Sequence, residues 1–279
     1  MRLLPLLRAR FRVFALTSQA SRRAELRAAG AVPIVADLDR PYTLARCSGL
    51  ADTIIHLAPP QSQGPKDQRT RNLAVILPER ATLVYVSTSG VYGDCGGEVV
   101  PEWRSVNPQS ARAQRRADAE RVLRAWARRS HSRLAILRVP GIYAAERLPV
   151  ERLKRATPAL CPEDDVHTNH IHADDLARIV WAALFRAGSC RIYHASDDSE
   201  LKMGDYFDLV ADALGLPRPP RLPRAELRQA VPPLLLSFMS ESRRLENERI
   251  KAELGVALRY PRVADMLAEL ESGKTPRAA

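Results

Sequence analysis

The sequence predicts an α/β protein built on a doubly wound parallel sheet, with a smaller C-terminal region. Several short runs are apolar at every position, as in strands that are buried on both faces of a parallel sheet. Helical stretches separate these runs, which gives repeated β-α-β units. From residue 141 prolines become frequent, which indicates a change of architecture. The predicted strands of the first part are Arg12–Leu16, Val32–Ala36, Thr53–Leu57, Leu83–Ser87 and Leu134–Val139.

The connecting segments complete these units. The strand Arg12–Leu16 ends in Thr17 and Ser18, and a helix is predicted over Ser21–Gly30, where the glycine ends it. Pro41–Leu50 is predicted as a turn and a helix before the third strand. In such sheets ligands bind beyond the carboxyl ends of the strands, so the polar residues there are the first candidates for a site.

The C-terminal part combines a return to the sheet with a separate helical region. Thr168–Gly188 is predicted as a strand and a helix with one apolar stripe, and Asp174 or Asp175 is expected to cap the helix. We therefore expect a sheet domain over residues 1–140, to which residues 167–195 return, and a second region over 141–279. The further predicted elements are a strand over Arg191–His194 and helices over Asp205–Leu214, Leu245–Leu254 and Val263–Leu270.

Composition limits the classes of function. The formal net charge is +11, but the basic residues are spread along the chain, which indicates solvated arginines rather than a sequence-specific nucleic-acid surface. A positive field would also suit an anionic ligand. The four cysteines include no C-x-x-C pair, which argues against a zinc ribbon and favours a reducing cytoplasm. No apolar run approaches the length of a membrane span.

Several segments, in the right order, resemble the extended short-chain dehydrogenases/reductases, the NAD-dependent epimerase/dehydratase family. The resemblance covers nearly the whole chain. It implies a Rossmann-like fold, a nicotinamide cofactor, a small substrate such as a nucleotide sugar, and a homodimer formed through two helices. The matching segments are TIIHLAPP (53–60), VYVSTSGVYGD (84–94), ILRVPGIYA (136–144), NHIHADDLA (169–177) and YHASDDSELKMGDYFDLVADALGLP (193–217).

The resemblance implies a catalytic hydroxyl at Thr88, although a threonine there also fits a residue that only satisfies its loop backbone. The positions of the family's Tyr and Lys hold Arg112 and Arg116 here. Because a guanidinium stays charged at neutral pH, the usual proton relay is absent. Arg116 is left either as a ligand of the cofactor ribose or, like Arg112, as part of a solvated arginine face. Tyr92 and Tyr143, two phenols in the matching loops, are the candidate replacement acids.

The cofactor positions favour NADP over NAD. No acidic residue follows the strand Arg12–Leu16, and hydroxyls and guanidinium groups stand there instead. MRLLPLLRARFRVFAL resembles the helix after the family's glycine-rich loop, followed by its second strand, so either the first strand and that loop lie upstream of Met1 or the chain has lost the pyrophosphate site. We therefore expect residues 1–279 to bind NADP poorly without such a segment. The predicted cofactor-binding residues are Thr17, Ser18, Arg22, Asp37, Leu38, Leu57, Ala58 and Pro59, with Arg23 beside them.

Three histidines suggest a metal, but none is expected. His170 and His172 share one face of a strand, with His167 and Asp174 nearby, yet no third ligand is suitably spaced. Three functions stay open. The first is an atypical dehydrogenase or epimerase with altered chemistry, the second a non-catalytic NAD(P)-binding sensor or interaction protein, and the third a nucleic-acid binder, which the scattered charge disfavours.

Overall fold

The computed structural model describes residues 1–272 and contains parallel strands joined by helices, as predicted. The strands are Phe14–Thr17 (β1), Val32–Val35 (β2), Thr53–His56 (β3), Thr82–Thr88 (β4), Val99–Val100 (β5), Arg133–Val139 (β6), Gly141–Tyr143 (β7), Ala159–Leu160 (β8), His167–Thr168 (β9), His170–His172 (β10), Arg191–His194 (β11), Leu201–Lys202 (β12), Arg221–Leu222 (β13) and Arg244–Leu245 (β14).

The helices connect these strands and cover them. They are Leu4–Arg8 (α1), Arg23–Ala28 (α2), Gln68–Ile76 (α3), Ala111–Arg129 (α4), Val150–Lys154 (α5), Ala173–Arg186 (α6), Met203–Ala213 (α7), Arg224–Ala230 (α8), Pro233–Phe238 (α9), Glu248–Ala252 (α10) and Val263–Glu271 (α11). Within residues 1–272 no helix is both long and apolar enough to cross a membrane. Two helical predictions were partly wrong: Pro41–Cys47 forms a 3-10 helix, and α2 is shorter than Ser21–Gly30.

The central sheet has four parallel strands in the order β11-β6-β4-β3. Its strands β3, β4 and β6 are rich in apolar residues because both faces of the sheet are covered. Val84 and Leu137 pack on one face with α6, and Tyr85 and Ile136 pack on the other with α4. Burial of a large apolar side chain of this kind is worth roughly 1.5–3 kcal/mol. This arrangement confirms the predicted doubly wound α/β fold.

The strands β1 and β2 form a separate parallel pair, with Phe14 opposite Val32 and Thr17 opposite Val35. Among residues 1–272, neither the free edge of β1 nor that of β3 has a strand partner. Side chains close to these edges are open to solvent, since Leu16 is 40% and Leu57 is 52% exposed. The described residues therefore supply no strand partner for these two edges.

A second apolar core lies in the C-terminal part. It is formed by α5, α7, α8 and α11 around the short parallel pair β8-β13. Phe207 and Val210 of α7 meet Val263 and Leu267 of α11 there. The pair β7-β10 joins this part to the sheet domain, because β7 directly follows β6.

The predicted helix over Leu245–Leu254 is only partly helical. Arg244 and Leu245 form β14, which pairs with β5, and α10 begins at Glu248. The pairing satisfies backbone groups of both segments, and this contact between distant parts of the chain overrides the local helical pattern.

Candidate functional site

Polar residues gather where the parallel strands end. Thr17 ends β1 and Thr88 ends β4, while Leu57, Ala58 and Pro59 directly follow β3. Because parallel strands present their carboxyl ends at one edge of a sheet, the loops after β3 and β4 form one rim. This rim is the candidate site.

The loop after β4 holds Thr88 in place. Thr88 is half-buried, and its Oγ1 accepts a hydrogen bond from the Gly90 backbone N–H at 3.2 Å. That bond uses an acceptor lone pair and leaves the hydroxyl proton free to be donated. The loop turns at Gly93, whose φ of +67° is a conformation that suits glycine. The structure thus supplies a hydroxyl donor at the end of a rigid strand.

Tyr92 is buried behind the rim rather than exposed on it. Its hydroxyl lies 2.6 Å from Nε2 of His194, and Nδ1 of His194 lies 2.8 Å from the carbonyl oxygen of Glu246. Because a carbonyl only accepts, Nδ1 carries the imidazole proton and Nε2 accepts from the phenol. Burial raises the pKa of Tyr92 to about 12 and lowers that of His194 to about 3. Tyr92 therefore directs its proton into the core.

A buried ion pair supports the same loop from below. Glu120 of α4 accepts hydrogen bonds from Arg138 of β6, at 2.7 Å to Nη2 and 3.2 Å to Nε, and from the Ser87 hydroxyl at 2.6 Å. The Arg138 guanidinium also lies 4.6 Å from the centre of the Tyr92 ring. This network joins α4, β4 and β6 directly beneath Thr88.

Arg116 joins the ends of two strands. Its Nη1 donates to the carbonyl oxygens of Ala58, at 3.3 Å, and Val86, at 3.0 Å, and it lies 3.0 Å from the Tyr85 hydroxyl. Burial and the Arg116 charge lower the pKa of neighbouring His56 to about 3, so its imidazole is neutral. Arg116 thus holds the two loops of the rim together, which is a role that the family's lysine position did not suggest.

Arg112, one helical turn before Arg116, is exposed and stacks on an aromatic ring. Its guanidinium carbon lies 4.3 Å from the centre of the Phe238 ring, at the end of α9. Among residues 1–272 it has no hydrogen-bond or ion-pair partner, so its five N–H donors are available. Sequence reasoning did not find the Phe238 contact, because no local pattern connects residues so far apart in the chain.

The predicted cofactor residues near β1 are exposed, except for Thr17, which is half-buried. Thr17 Oγ1 accepts from the Gln19 N–H at 3.2 Å, and Ser18 next to it faces solvent. Arg22 is bound through two hydrogen bonds, of 2.9 and 3.0 Å, to Glu25, and Arg23 begins α2. The Thr17 hydroxyl also donates to the carbonyl oxygen of Gln19 at 3.4 Å, so Ser18 carries the hydroxyl that is available for a ligand. Arg22 has to leave Glu25 before it can bind a ligand.

The remaining predicted cofactor residues lie in two turns. Asp37 follows β2, and its Oδ1 accepts from the Asp39 N–H at 2.9 Å. The carbonyl oxygen of Leu38 accepts from the Asn72 side chain at 2.7 Å, which ties this turn to α3. Leu57 and Pro59 are exposed, while Ala58 is half-buried. The first turn is therefore held by α3, and the second turn exposes the side chains of Leu57 and Pro59 to solvent.

The histidines with metal-like spacing lie in an aromatic cluster. The His170 ring stacks on Tyr206 at 4.3 Å and the His172 ring meets Tyr260 at 4.3 Å, while both have edge contacts with Tyr143. Nδ1 of His172 accepts from the Asp174 N–H at 3.2 Å, which caps α6. The predicted cap at Asp174 or Asp175 was therefore wrong. No group of three or more metal-binding side chains is found in the part of the chain that is described.

Tyr143 is buried beside these rings, and burial raises the pKa of its hydroxyl. A cavity of about 330 Å³ lies away from the rim, between the segments 167–169, 197–200 and 244–251. It contains neither Thr88 nor any predicted cofactor residue. The rim and this cavity are therefore separate features.

Arg138 is another site residue that sequence reasoning missed. A signal for it was present, because an arginine inside the apolar strand LAILRV needs a buried counter-ion. The sequence could not say that Glu120 is this partner.

A model of the NAD dependent epimerase/dehydratase family matches residues 3–195 of the chain. Comparison with curated proteins finds no match. Among solved structures, a functionally unknown conserved protein from Silicibacter pomeroyi is 28% identical with a TM-score of 0.77, and the match covers 98% of this chain and 94% of that one.

Two further structures show the same fold at lower identity. The dTDP-glucose 4,6-dehydratase from Streptomyces venezuelae, with NAD and TYD bound, is 22% identical with a TM-score of 0.73, covering 94% of this chain and 86% of that one. RMD from Pseudomonas aeruginosa, complexed with NADPH, is 18% identical with a TM-score of 0.68, covering 94% of this chain and 100% of that one.

Proposed function

The chain belongs to the NAD dependent epimerase/dehydratase family, and on that premise we propose that it binds NAD(P) and acts on a small, nucleotide-sugar-like substrate through a non-standard active site. Thr88 is the proposed catalytic hydroxyl. The observation that carries this proposal is the position of Thr88 on the rim, with a free hydroxyl proton in a loop supported by the Glu120–Arg138 pair.

Thr88 would act by donating a hydrogen bond to a substrate oxygen. When that oxygen gains negative charge, the bond strengthens, and the rigid loop avoids the cost of reorienting the donor. A bound nicotinamide would supply the hydride chemistry. Arg116 positions the rim by holding Ala58 and Val86, and its remaining donors are available to a ribose hydroxyl. Tyr92 was also predicted as catalytic, and in this proposal it acts through the loop rather than on the substrate.

An enzymatic function of this kind needs a residue that transfers a proton to or from the substrate. Arg112 and Arg116 replace the tyrosine and lysine, and neither releases a proton at neutral pH. The proton of Tyr92 is bound by His194. These observations favour the second candidate, a non-catalytic NAD(P)-binding sensor or interaction protein on the same fold.

For the cofactor we propose that NADP is preferred. The half-buried hydroxyl of Thr17 and the exposed hydroxyl of Ser18, with Arg22 and Arg23 beside them, suit a 2′-phosphate, and no carboxylate follows β1 to repel it. The adenine of the bound cofactor would lie against Asp37 and Leu38, and its ribose would lie against residues 57–59. These residues fit one side of a dinucleotide. Among residues 1–272, no glycine-rich turn lies beside β1 to bind the pyrophosphate through backbone N–H groups.

We therefore propose that residues 1–279 bind NADP poorly and that a form extended by a strand and a glycine-rich turn binds NADP more tightly than NAD. Calorimetry on both forms with both cofactors tests this. Tight binding by the shorter form, or a preference for NAD in the extended form, would contradict the assignment.

We also propose a homodimer formed through α3 and α4. These helices pack side by side, joined by the Arg71–Asp118 ion pair at 2.7 Å, and Val75 on α3 is 84% exposed. Sedimentation of wild type and Val75→Glu would test this, because a charge at the interface should shift the population to monomer. Equal sedimentation of both proteins would argue against this interface.

The experiment on Thr88 separates the two candidate functions. In the form extended by a strand and a glycine-rich turn, assayed with a panel of nucleotide sugars and NADP, Thr88→Ala should lower kcat by about 100-fold with little change in KM, because the donor acts mainly on the developing charge. Thr82→Ala, the same substitution at the other end of β4, is the control. Unchanged kcat in a folded Thr88→Ala variant would remove Thr88 from the mechanism. Cofactor binding without any turnover by wild type would favour the sensor.

A further inference from the structure

The guanidinium of Arg112 is arranged to bind an anion. It stacks on Phe238 at 4.3 Å, which covers one face of the planar group and leaves its N–H edge uncovered. None of the described residues accepts a hydrogen bond from it. Two neighbouring arginines already donate hydrogen bonds to the backbone. Arg116 donates to the carbonyl oxygens of Ala58 and Val86, and Arg115 donates to that of Gly64 at 2.7 Å.

Arg112 also lies beside the Thr88 loop. Arg112 and Arg116 are four residues apart on α4, so they share one face, and Arg116 already reaches the strand ends. The segment leading into α4 is attached to the loop, because the Asn107 N–H donates to the carbonyl oxygen of Val91 at 2.9 Å. Arg112 is therefore one turn further out than Arg116, between the rim and α9.

The charge around Arg112 is positive. Burial is the main cause that lowers the pKa of Arg112; the charge of Glu241 raises this pKa, and the charges of Arg115 and Arg116 lower it further. Glu241 is itself paired with Arg243. An anion that enters here would meet several guanidinium groups and one carboxylate that is already neutralised.

We propose that Arg112 binds an oxyanion group, a phosphate or a carboxylate, of the substrate that contacts Thr88. This inference rests on the proposed function and adds to it the residue that binds the charged group of the substrate. The guanidinium fork forms two parallel hydrogen bonds to such a group, which a lysine cannot reproduce. Phe238 is its positioning residue, because the ring fixes the plane of the fork.

The test is calorimetric titration of the full chain with three probes: α-D-glucose 1-phosphate, D-glucuronate and D-glucose. We expect wild type to bind the phosphate or the carboxylate probe more tightly than glucose, and the better of the two identifies the source of the oxyanion. Arg112→Gln should weaken that binding by about tenfold or more, and Arg112→Lys should restore only part of it. Arg128→Gln, an exposed arginine at the other end of α4, is the control and should bind as wild type does.

Equal affinity for the charged probes and glucose would overturn the proposal, as would unchanged binding by Arg112→Gln. Phe238→Leu should weaken the binding of the charged probe. The affinity of this variant should still decrease with salt as that of wild type does, because the Arg112 charge remains. Titration of the form extended by a strand and a glycine-rich turn with NADPH, followed by the fluorescence of NADPH, is run in parallel. Intact cofactor binding with failed probe discrimination would refute the role of Arg112 alone and leave the cofactor assignment standing.

Discussion

Removal of the Glu120 charge should destabilise the protein strongly. Glu120, Arg138 and Ser87 are each less than 6% exposed, and three hydrogen bonds end on this carboxylate. Loss of one member of a buried ion pair costs about 3–5 kcal/mol, because the other charge remains buried without a partner. Since Glu120→Gln keeps the side-chain shape and one acceptor oxygen, we expect about 3 kcal/mol, the lower end of that range.

The measurement is urea unfolding followed by circular dichroism. The midpoint should fall without a change in slope, which identifies a change of stability rather than of the unfolded state. Asp212→Asn is the matched control: it removes an ion pair to Arg218 whose side chains are 51% and 62% exposed, so it should leave the unfolding midpoint almost unchanged. A joint Glu120→Leu, Arg138→Met variant should recover much of the loss. A cost below about 1 kcal/mol for Glu120→Gln would refute the view that this pair supports the Thr88 loop.

Three further outcomes are expected. Gly93→Ala should destabilise much more than Gly96→Ala in thermal unfolding, because both have positive φ but only at Gly93 would the new Cβ meet a backbone oxygen, that of Asn107 at 2.3 Å; equal shifts would contradict this. Burial lowers the pKa of His56 and His194 from 6.5 to about 3, so between these values the unfolded chain binds protons that the folded chain does not. The free energy of unfolding should therefore decrease as pH falls through this window, and replacement of either histidine by glutamine should flatten that part of the profile. Duplex DNA should bind only weakly and be released by moderate salt, and a sequence-specific complex at physiological salt would overturn this.

Much of the fold follows from sequence alone. The continuously apolar runs predicted the strands β1 to β4 and β6 to within a few residues, because a strand buried on both faces tolerates little polarity. The strand β11 was predicted separately and has the predicted bounds. The motif around Thr88 placed its hydroxyl at the end of β4. These features are local, and each depends on neighbouring residues that a linear pattern can display.

The tertiary structure decided which polar groups find each other. The sequence showed Tyr92 and Arg116 as candidate site residues, but only the fold joined Tyr92 to His194 and Arg116 to the backbone of Ala58 and Val86. The same holds for the contact between Arg112 and Phe238. Burial makes an unpaired polar group costly, so each one takes whichever partner the packed chain brings within reach. The partner is set by three-dimensional packing, and no spacing along the chain encodes it.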